Sequence, residues 1–123
     1  MSGKILVVDD SSTMRKIVMR SVRQAGFEVD EFLEAGDGKE GLSVLGTSPV
    51  RLILSDVNMP NMNGLEFVKA VRANDSTKSI PIVMITTEGS EDMVNLAIGA
   101  GATGYIKKPF TPEKIKETLA NFL

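Results

Sequence analysis

Short uninterrupted apolar runs alternate along the chain with stretches in which apolar residues recur every three or four positions. Ile5–Val8 is a continuous aliphatic run, the pattern of a strand buried on both faces. Met14, Ile17, Val18, Val22 and Ala25 then recur at helical spacing among basic residues, and Gly26 follows as a helix stop. Val29–Ala35, more polar, predicts a second strand, and Lys39–Leu45, flanked by Gly38 and Gly46, a second helix. Leu52–Leu54 predicts a third strand running into Ser55-Asp56, and Leu65, Val68 and Val71 the helix after it. Ile82–Ile85 predicts a fourth strand, with Met93, Val94, Ala97 and Ile98 on the following helix. Gly104–Ile106 reads as a short last strand. Thr111 is placed as N-cap and Pro112 at the first helical position of a final helix carrying Ile115, Leu119 and Phe122 on one face.

The resulting order is βαβαβαβαβα. Strands joined through helices must run parallel, and right-handed crossovers put helices on both faces of the sheet. No linker, internal repeat or low-complexity segment interrupts the pattern, so residues 1–123 form one doubly wound α/β domain.

Composition narrows the chemistry. Hydrophobic residues at 42% and charged residues at 24% suit a folded globular chain. A net charge of −2 argues against a nucleic-acid partner, and the basic residues Arg15, Lys16, Arg20 and Arg23 read as a solvated helix face. The chain has neither Cys nor His. Disulfides, thiolate nucleophiles and imidazole bases are therefore excluded, and a zinc enzyme site is disfavoured. Carboxylates, hydroxyls, lysines and a hard metal ion remain. No apolar stretch approaches the roughly 20 residues needed to span a bilayer, and Asp9 and Asp10 come too early for a signal peptide. No membrane insertion and a cytoplasmic location are expected.

Ligands of open parallel sheets bind beyond the carboxyl ends of the strands. Asp9 and Asp10 follow the first predicted strand, Asp56 the third, Thr86 and Thr87 the fourth, and Lys107 and Lys108 the fifth. Taken singly, each has a plainer reading: a carboxylate at a helix start, a loop aspartate, a strand threonine, a solvated lysine. Together they bring three carboxylates, hydroxyls and an ammonium to one edge. Neighbouring carboxylates stay ionised together only when a cation joins them, and Mg²⁺ suits oxygen ligands while leaving room for phosphate. Lys108, the Thr86 hydroxyl and backbone N–H groups can meet phosphoryl oxygens. A carboxylate can itself accept a phosphoryl group as an aspartyl phosphate.

The segments Val7-Val8-Asp9-Asp10-Ser11, Ser55–Gly64, Thr86-Thr87 and Lys108-Pro109-Phe110 resemble the receiver domain of bacterial two-component response regulators over nearly the whole chain. Asn58–Met62, Ser12-Thr13-Met14-Arg15 and Gly104-Tyr105 are similar to the family's stand-alone chemotaxis regulators. The resemblance implies a flavodoxin-like fold: a five-stranded parallel sheet of order 2-1-3-4-5 flanked by five helices. It implies Asp56 as phosphoacceptor, Asp10 and Asp56 as direct Mg²⁺ ligands, Asp9 as orienter of metal-bound water, and the Asn58 main-chain carbonyl as a further ligand. Lys108 would contact the phosphoryl group across a cis peptide to Pro109. Thr86 would move to the phosphate, near Thr87 and Asn58, and Tyr105 would turn inward in response. Asn58 and Glu88 would tune loss of the phosphoryl group. A histidine kinase would donate it, and the face of the fourth helix, fifth strand and fifth helix would carry the output. A flagellar motor switch protein is the implied target, with a phosphatase as a possible further partner. The protein would be monomeric, with slow self-dephosphorylation but no turnover as an enzyme.

Three departures stand out. Asn63 occupies a position where the family usually has Asp. Val57 replaces a Trp of the best-known enteric chemotaxis regulator. Gly89-Ser90-Glu91-Asp92 is acidic where that regulator is basic, which argues against the same dephosphorylating partner.

Other functions fit less well. An FMN carrier of the same fold needs a first loop rich in Ser, Thr and Gly, whereas Asp9 and Asp10 would repel its phosphate. An aspartyl phosphatase places its nucleophile in an Asp-x-Asp pair after the first strand, with added cap elements. A docking module would not need the full acidic pair, acceptor, hydroxyl and lysine. Within receivers, a phosphorelay intermediate rivals the chemotaxis role. Because the chain stops with its last helix, output is expected through a partner surface.

Overall fold

The computed structural model describes residues 3–87 and 89–122. Its elements run in the expected order: β1 (Lys4–Val8), α1 (Ser12–Gln24), β2 (Glu31–Ala35), α2 (Gly38–Leu45), β3 (Leu52–Ser55), α3 (Gly64–Ala73), β4 (Ile82–Thr86), α4 (Glu91–Ala100), β5 (Gly104–Lys107) and α5 (Pro112–Leu119). The five strands form one sheet in the order β2-β1-β3-β4-β5, and every pairing is parallel.

The alternation of side chains along a strand divides the core in two. Leu6, Val8, Ile53 and Met84 face one side, where they meet Phe67, Val68 and Val71 of α3 and Ala97 of α4. Ile5, Val7, Leu52, Leu54, Val83 and Ile85 face the other, against Val18 and Val22 of α1 and Ile115 and Leu119 of α5. The continuous apolar runs of β1, β3 and β4 thus reflect burial on both faces.

Boundaries moved slightly. β2 begins at Glu31 rather than Val29, because parallel pairing starts with Lys4 opposite Glu31 and the Asp30 N–H already donates to the Gly3 carbonyl. Polar Ser55, Thr86 and Lys107 belong to their strands: Ser55 pairs with both Val8 and Met84, and Thr86 with Lys107. Ladder hydrogen bonding, unlike hydrophobic patterning, does not stop at the first polar residue. Gly26 ends α1 with φ of 96°, a left-handed conformation that glycine adopts without strain. Thr111 caps α5 as expected, its side chain accepting from the Lys114 N–H.

This register positions the site. Val8 of β1 is level with Ser55 of β3, so the next residues, Asp9 and Asp56, emerge side by side. The Asp56 N–H donates to the Val8 carbonyl at 2.9 Å, and the Asp9 N–H to the Ala35 carbonyl of β2 at 3.0 Å.

Candidate functional site

Asp9, Asp10 and Asp56 come together at the carboxyl edge of the sheet, with one oxygen of each within 4.8 Å of the others. Lys108 reaches between them. Its Nζ lies 3.1 Å from Asp9 Oδ2 and 3.5 Å from Asp56 Oδ2. These three side chains are largely withdrawn from solvent, with 10%, 6% and 13% exposure for Lys108, Asp9 and Asp56, whereas Asp10 is exposed.

Each carboxylate is held differently. Asp9 Oδ1 accepts the Ser11 N–H at 2.9 Å while Oδ2 takes the Lys108 ammonium, so both its oxygens are engaged. Asp56 Oδ1 accepts the Val57 N–H at 2.7 Å, and Oδ2 has only the longer contact to Lys108. Among the described residues, no hydrogen bond to the Asp10 carboxylate is found. Asp9 and Asp56 share one ammonium where water screens them poorly, with the Asp10 carboxylate beside them, and that excess negative charge is costly unless a cation joins them. Oxygen donors alone, with two residues incompletely saturated, fit a hard divalent ion such as Mg²⁺.

Lys108 reaches this position through the end of β5. The Lys108 N–H donates to the Thr86 carbonyl at 2.8 Å, and the Lys108–Pro109 peptide is cis. Thr86 is fully buried at the end of β4, and Thr87 beside it is exposed. Tyr105, opposite Met84 in the sheet, packs against the α3-side core with its hydroxyl shielded from solvent. Asn58 is exposed in the loop after β3. Glu88 lies outside the described residues.

The loop carrying Asn58 is tied down at its far end. Asn61, with φ of 64°, donates from Nδ2 to Asp37 Oδ2 at 2.7 Å, and the Gly38 N–H donates to the Met62 carbonyl at 3.2 Å. Asp37 also caps α2 by accepting the Glu40 N–H. That bond first, and the Asn61 amide second, lower its pKa below the usual aspartate value. Asn63 caps α3 in a reciprocal capping box with Glu66. Asn and Asp serve almost equally as N-caps, which accounts physically for the tolerance of Asn63. Gly64 is required by close approach: a Cβ there would collide with the main-chain carbonyl of Asp56. The Gly64 N–H donates to the Val57 carbonyl at 2.7 Å, so the loop carrying Asp56 and the start of α3 are one packed unit.

One basic residue does not lie on the expected solvated face. Arg15 donates from Nε to Glu34 Oε1 at 2.9 Å and from Nη1 to the Asp9 main-chain carbonyl at 2.5 Å, with its side chain 17% exposed. Arg23 keeps to the surface, its guanidinium 4.8 Å from the centre of the Phe32 ring. Helical spacing could not reveal the Arg15 contacts, whose partners lie six residues back and nineteen ahead.

The cluster does not sit in a deep cavity. A concavity of about 350 Å³, between Leu45–Val50 and Ser76–Ile80, lies at the opposite end of the sheet and contains none of the expected site residues. A shallow acidic edge with a lysine suits a group presented from outside.

The sequence model of the response regulator receiver domain matches residues 5–120. The chain belongs to the response regulator receiver family. Among curated relatives, it is 49% identical over 117 residues to the chemotaxis protein CheY1 of Helicobacter pylori (94% of this chain, 93% of that protein). It is 47% identical over 121 residues to a chemotaxis protein CheY homolog of Campylobacter jejuni (98% and 92%). Among solved structures, the chemotaxis response regulator CheY4 of Vibrio cholerae is 43% identical and superposes with a TM-score of 0.86, covering 100% of both chains. The receiver fold, with its CheY-like strand order, is thus shared with chemotaxis regulators.

Proposed function

We propose that this receiver accepts a phosphoryl group on Asp56 from the phosphohistidine of a histidine kinase and uses it to switch a partner-binding face in chemotaxis. The observation that carries the reading is the meeting of Asp9, Asp10, Asp56 and Lys108 at one sheet edge, and relatives named as chemotaxis proteins support the pathway. In the transfer, a carboxylate oxygen of Asp56 forms the new bond to phosphorus. The phosphorus–nitrogen bond to the kinase imidazole breaks, and its electron pair leaves on nitrogen. When bound, Mg²⁺ would neutralise the acidic cluster and charge on the phosphoryl oxygens. Asp10, Asp56 and the Asn58 carbonyl would hold it, with Asp9 acting through water. Lys108 pairs with the new dianion, and the Thr86 hydroxyl turns toward it.

A phosphoryl group adds roughly one to two negative charges and three acceptor oxygens. Lys108 and Thr86 bind these better in one arrangement of β4 and β5 than in another, which shifts the equilibrium of the α4–β5–α5 face, Tyr105 included. Thr87 and Asn58 line the phosphate, and Asn58 with Glu88 governs its hydrolysis. The chain acts in the cytoplasm as a monomeric switch, not a turnover enzyme, on a flagellar motor switch protein or equivalent target.

Incubation with a labelled, phosphorylated chemotaxis kinase should move label to the native chain and not to Asp56→Asn. Capture on a motor switch peptide should then increase with phosphorylation. Passage of label onward to a histidine phosphotransfer protein, without that capture, would favour the relay.

A further inference from the structure

We infer that Arg15 is a positioning residue for the divalent-ion site, acting on the peptide that carries Asp10; the inference rests on the site reading given above. The Asp9 carbonyl that accepts from Arg15 Nη1 belongs to the peptide plane joining Asp9 to Asp10. Rotation of that plane swings the Asp10 carboxylate. Behind it, the Asp9 N–H is fixed to the Ala35 carbonyl of β2. Ahead of it, nothing in the side chain of Asp10 holds the residue, since Asp10 is exposed and its carboxylate has no hydrogen bond among the described residues. The guanidinium is therefore the clamp on the one carboxylate of the cluster that accepts no hydrogen bond among the described residues.

The clamp is itself braced. Arg15 Nε pairs with Glu34 on β2, the edge strand whose Ala35 also holds Asp9, so the guanidinium spans α1, the acidic loop and the sheet edge. A planar fork with several donors can satisfy a carboxylate and a carbonyl at once, whereas an ammonium on a flexible stem cannot do so in fixed geometry. Cα placement alone shows why an arginine can serve here: α1 begins at Ser12, so residue 15 lies one turn in and its side chain reaches back over the N-terminal turn toward Asp9.

Groups that orient ligands without touching the metal commonly change affinity about 10- to 100-fold when removed. Calorimetric titration with MgCl₂ is expected to show Arg15→Ala binding about 10-fold more weakly than the native chain. Arg15→Lys should fall between them, and Glu34→Gln, which keeps an acceptor for Nε, should lie nearer native. Phosphorylation by acetyl phosphate supplies a second readout. In Arg15→Ala the Mg²⁺ concentration for half-maximal rate should rise by the same factor, with an unchanged plateau at saturating Mg²⁺. General loosening of the fold would lower the plateau instead. If Arg15→Ala does not fold, Arg15→Met, which keeps the aliphatic stem, carries the same test. A folded Arg15 variant whose Mg²⁺ affinity and half-saturation match native within twofold would overturn the inference. Failure of the site reading itself is distinguishable, because the native chain would then bind no Mg²⁺ that Asp10→Asn abolishes; that result removes both.

Discussion

Helices α3 and α4 are each ten residues long and pack on the same side of the sheet, yet they are anchored differently. α3 buries Gly64, Phe67, Val68 and Val71 and starts in a reciprocal capping box. α4 buries only Ala97, is capped by the single Ser90 side chain, and leaves Leu96 and Ile98 58% and 48% exposed. The first turn of α3 is locked to the Asp56 loop through Gly64, while α4 is tied at its C-terminal end, where Arg72 of α3 donates to the Gly101 carbonyl at 2.9 Å. Partial burial of Arg72 lowers its pKa through desolvation. One helix gives the Asp56 loop a rigid seat, and the other offers apolar residues on a shallowly seated surface. The proposed switch needs both: fixed chemistry, and an output element that moves at low cost.

The sharpest way to break the contrast is a pair of truncations. Phe67→Ala is expected to destabilise the fold by about 3–5 kcal/mol in urea unfolding, as large buried side chains do. Leu96→Ala should stay within about 0.5 kcal/mol of native yet weaken capture on the phosphorylation-dependent partner. Equal losses of stability would erase the distinction between seat and surface. A smaller effect, about 1–3 kcal/mol from overpacking, is expected for Gly64→Ala, which must push the Asp56 carbonyl aside. Its phosphorylation rate should fall as well, and an unchanged urea midpoint would show that the two segments are not packed as one. The smallest effect concerns Asp37, which ties the loop before α3 to α2. Its folded pKa is depressed, so its contribution is present above the unfolded aspartate value, about 3.9, and is lost as pH falls through the lower folded value. Asp37→Asn should therefore be less stable than native at neutral pH, with the gap closing only in acid. A gap that stays constant from pH 7 to pH 2.5 would contradict a stabilising role for the ionised carboxylate.

Much of this architecture could be read from the chain before any coordinates. β1, β3 and β4 announce themselves because burial on both faces needs unbroken apolar runs, and residues just past such runs are where parallel sheets place their chemistry. That logic located Asp9, Asp10, Asp56 and Lys108. The strand order was carried over from the family, since no local pattern dictates which strands are neighbours. β2 was blurred because this edge strand mixes exposed Glu31 and Glu34 with half-buried Phe32 and Leu33, matching neither an unbroken run nor a clean alternation. Arg15 was misassigned to the solvated face, because a charged residue on a polar helix stripe looks the same whether it meets water or a carbonyl. The Asn61 link to Asp37 escaped for a similar reason: its partner lies 24 residues away, beyond the reach of turn chemistry. The caps at Ser11, Asp37, Asn63 and Ser90 went unread, because a single polar residue before a helical run looks the same whether or not its side chain bonds the backbone.

The account stands most directly on Asp56. Intact mass after incubation with acetyl phosphate should show the native chain gaining about 80 Da, one phosphoryl group on a carboxylate, only when Mg²⁺ is present and not in Asp56→Asn. A folded native chain that gains no such mass at any Mg²⁺ concentration, or an Asp56→Asn variant that gains it equally, would contradict the account.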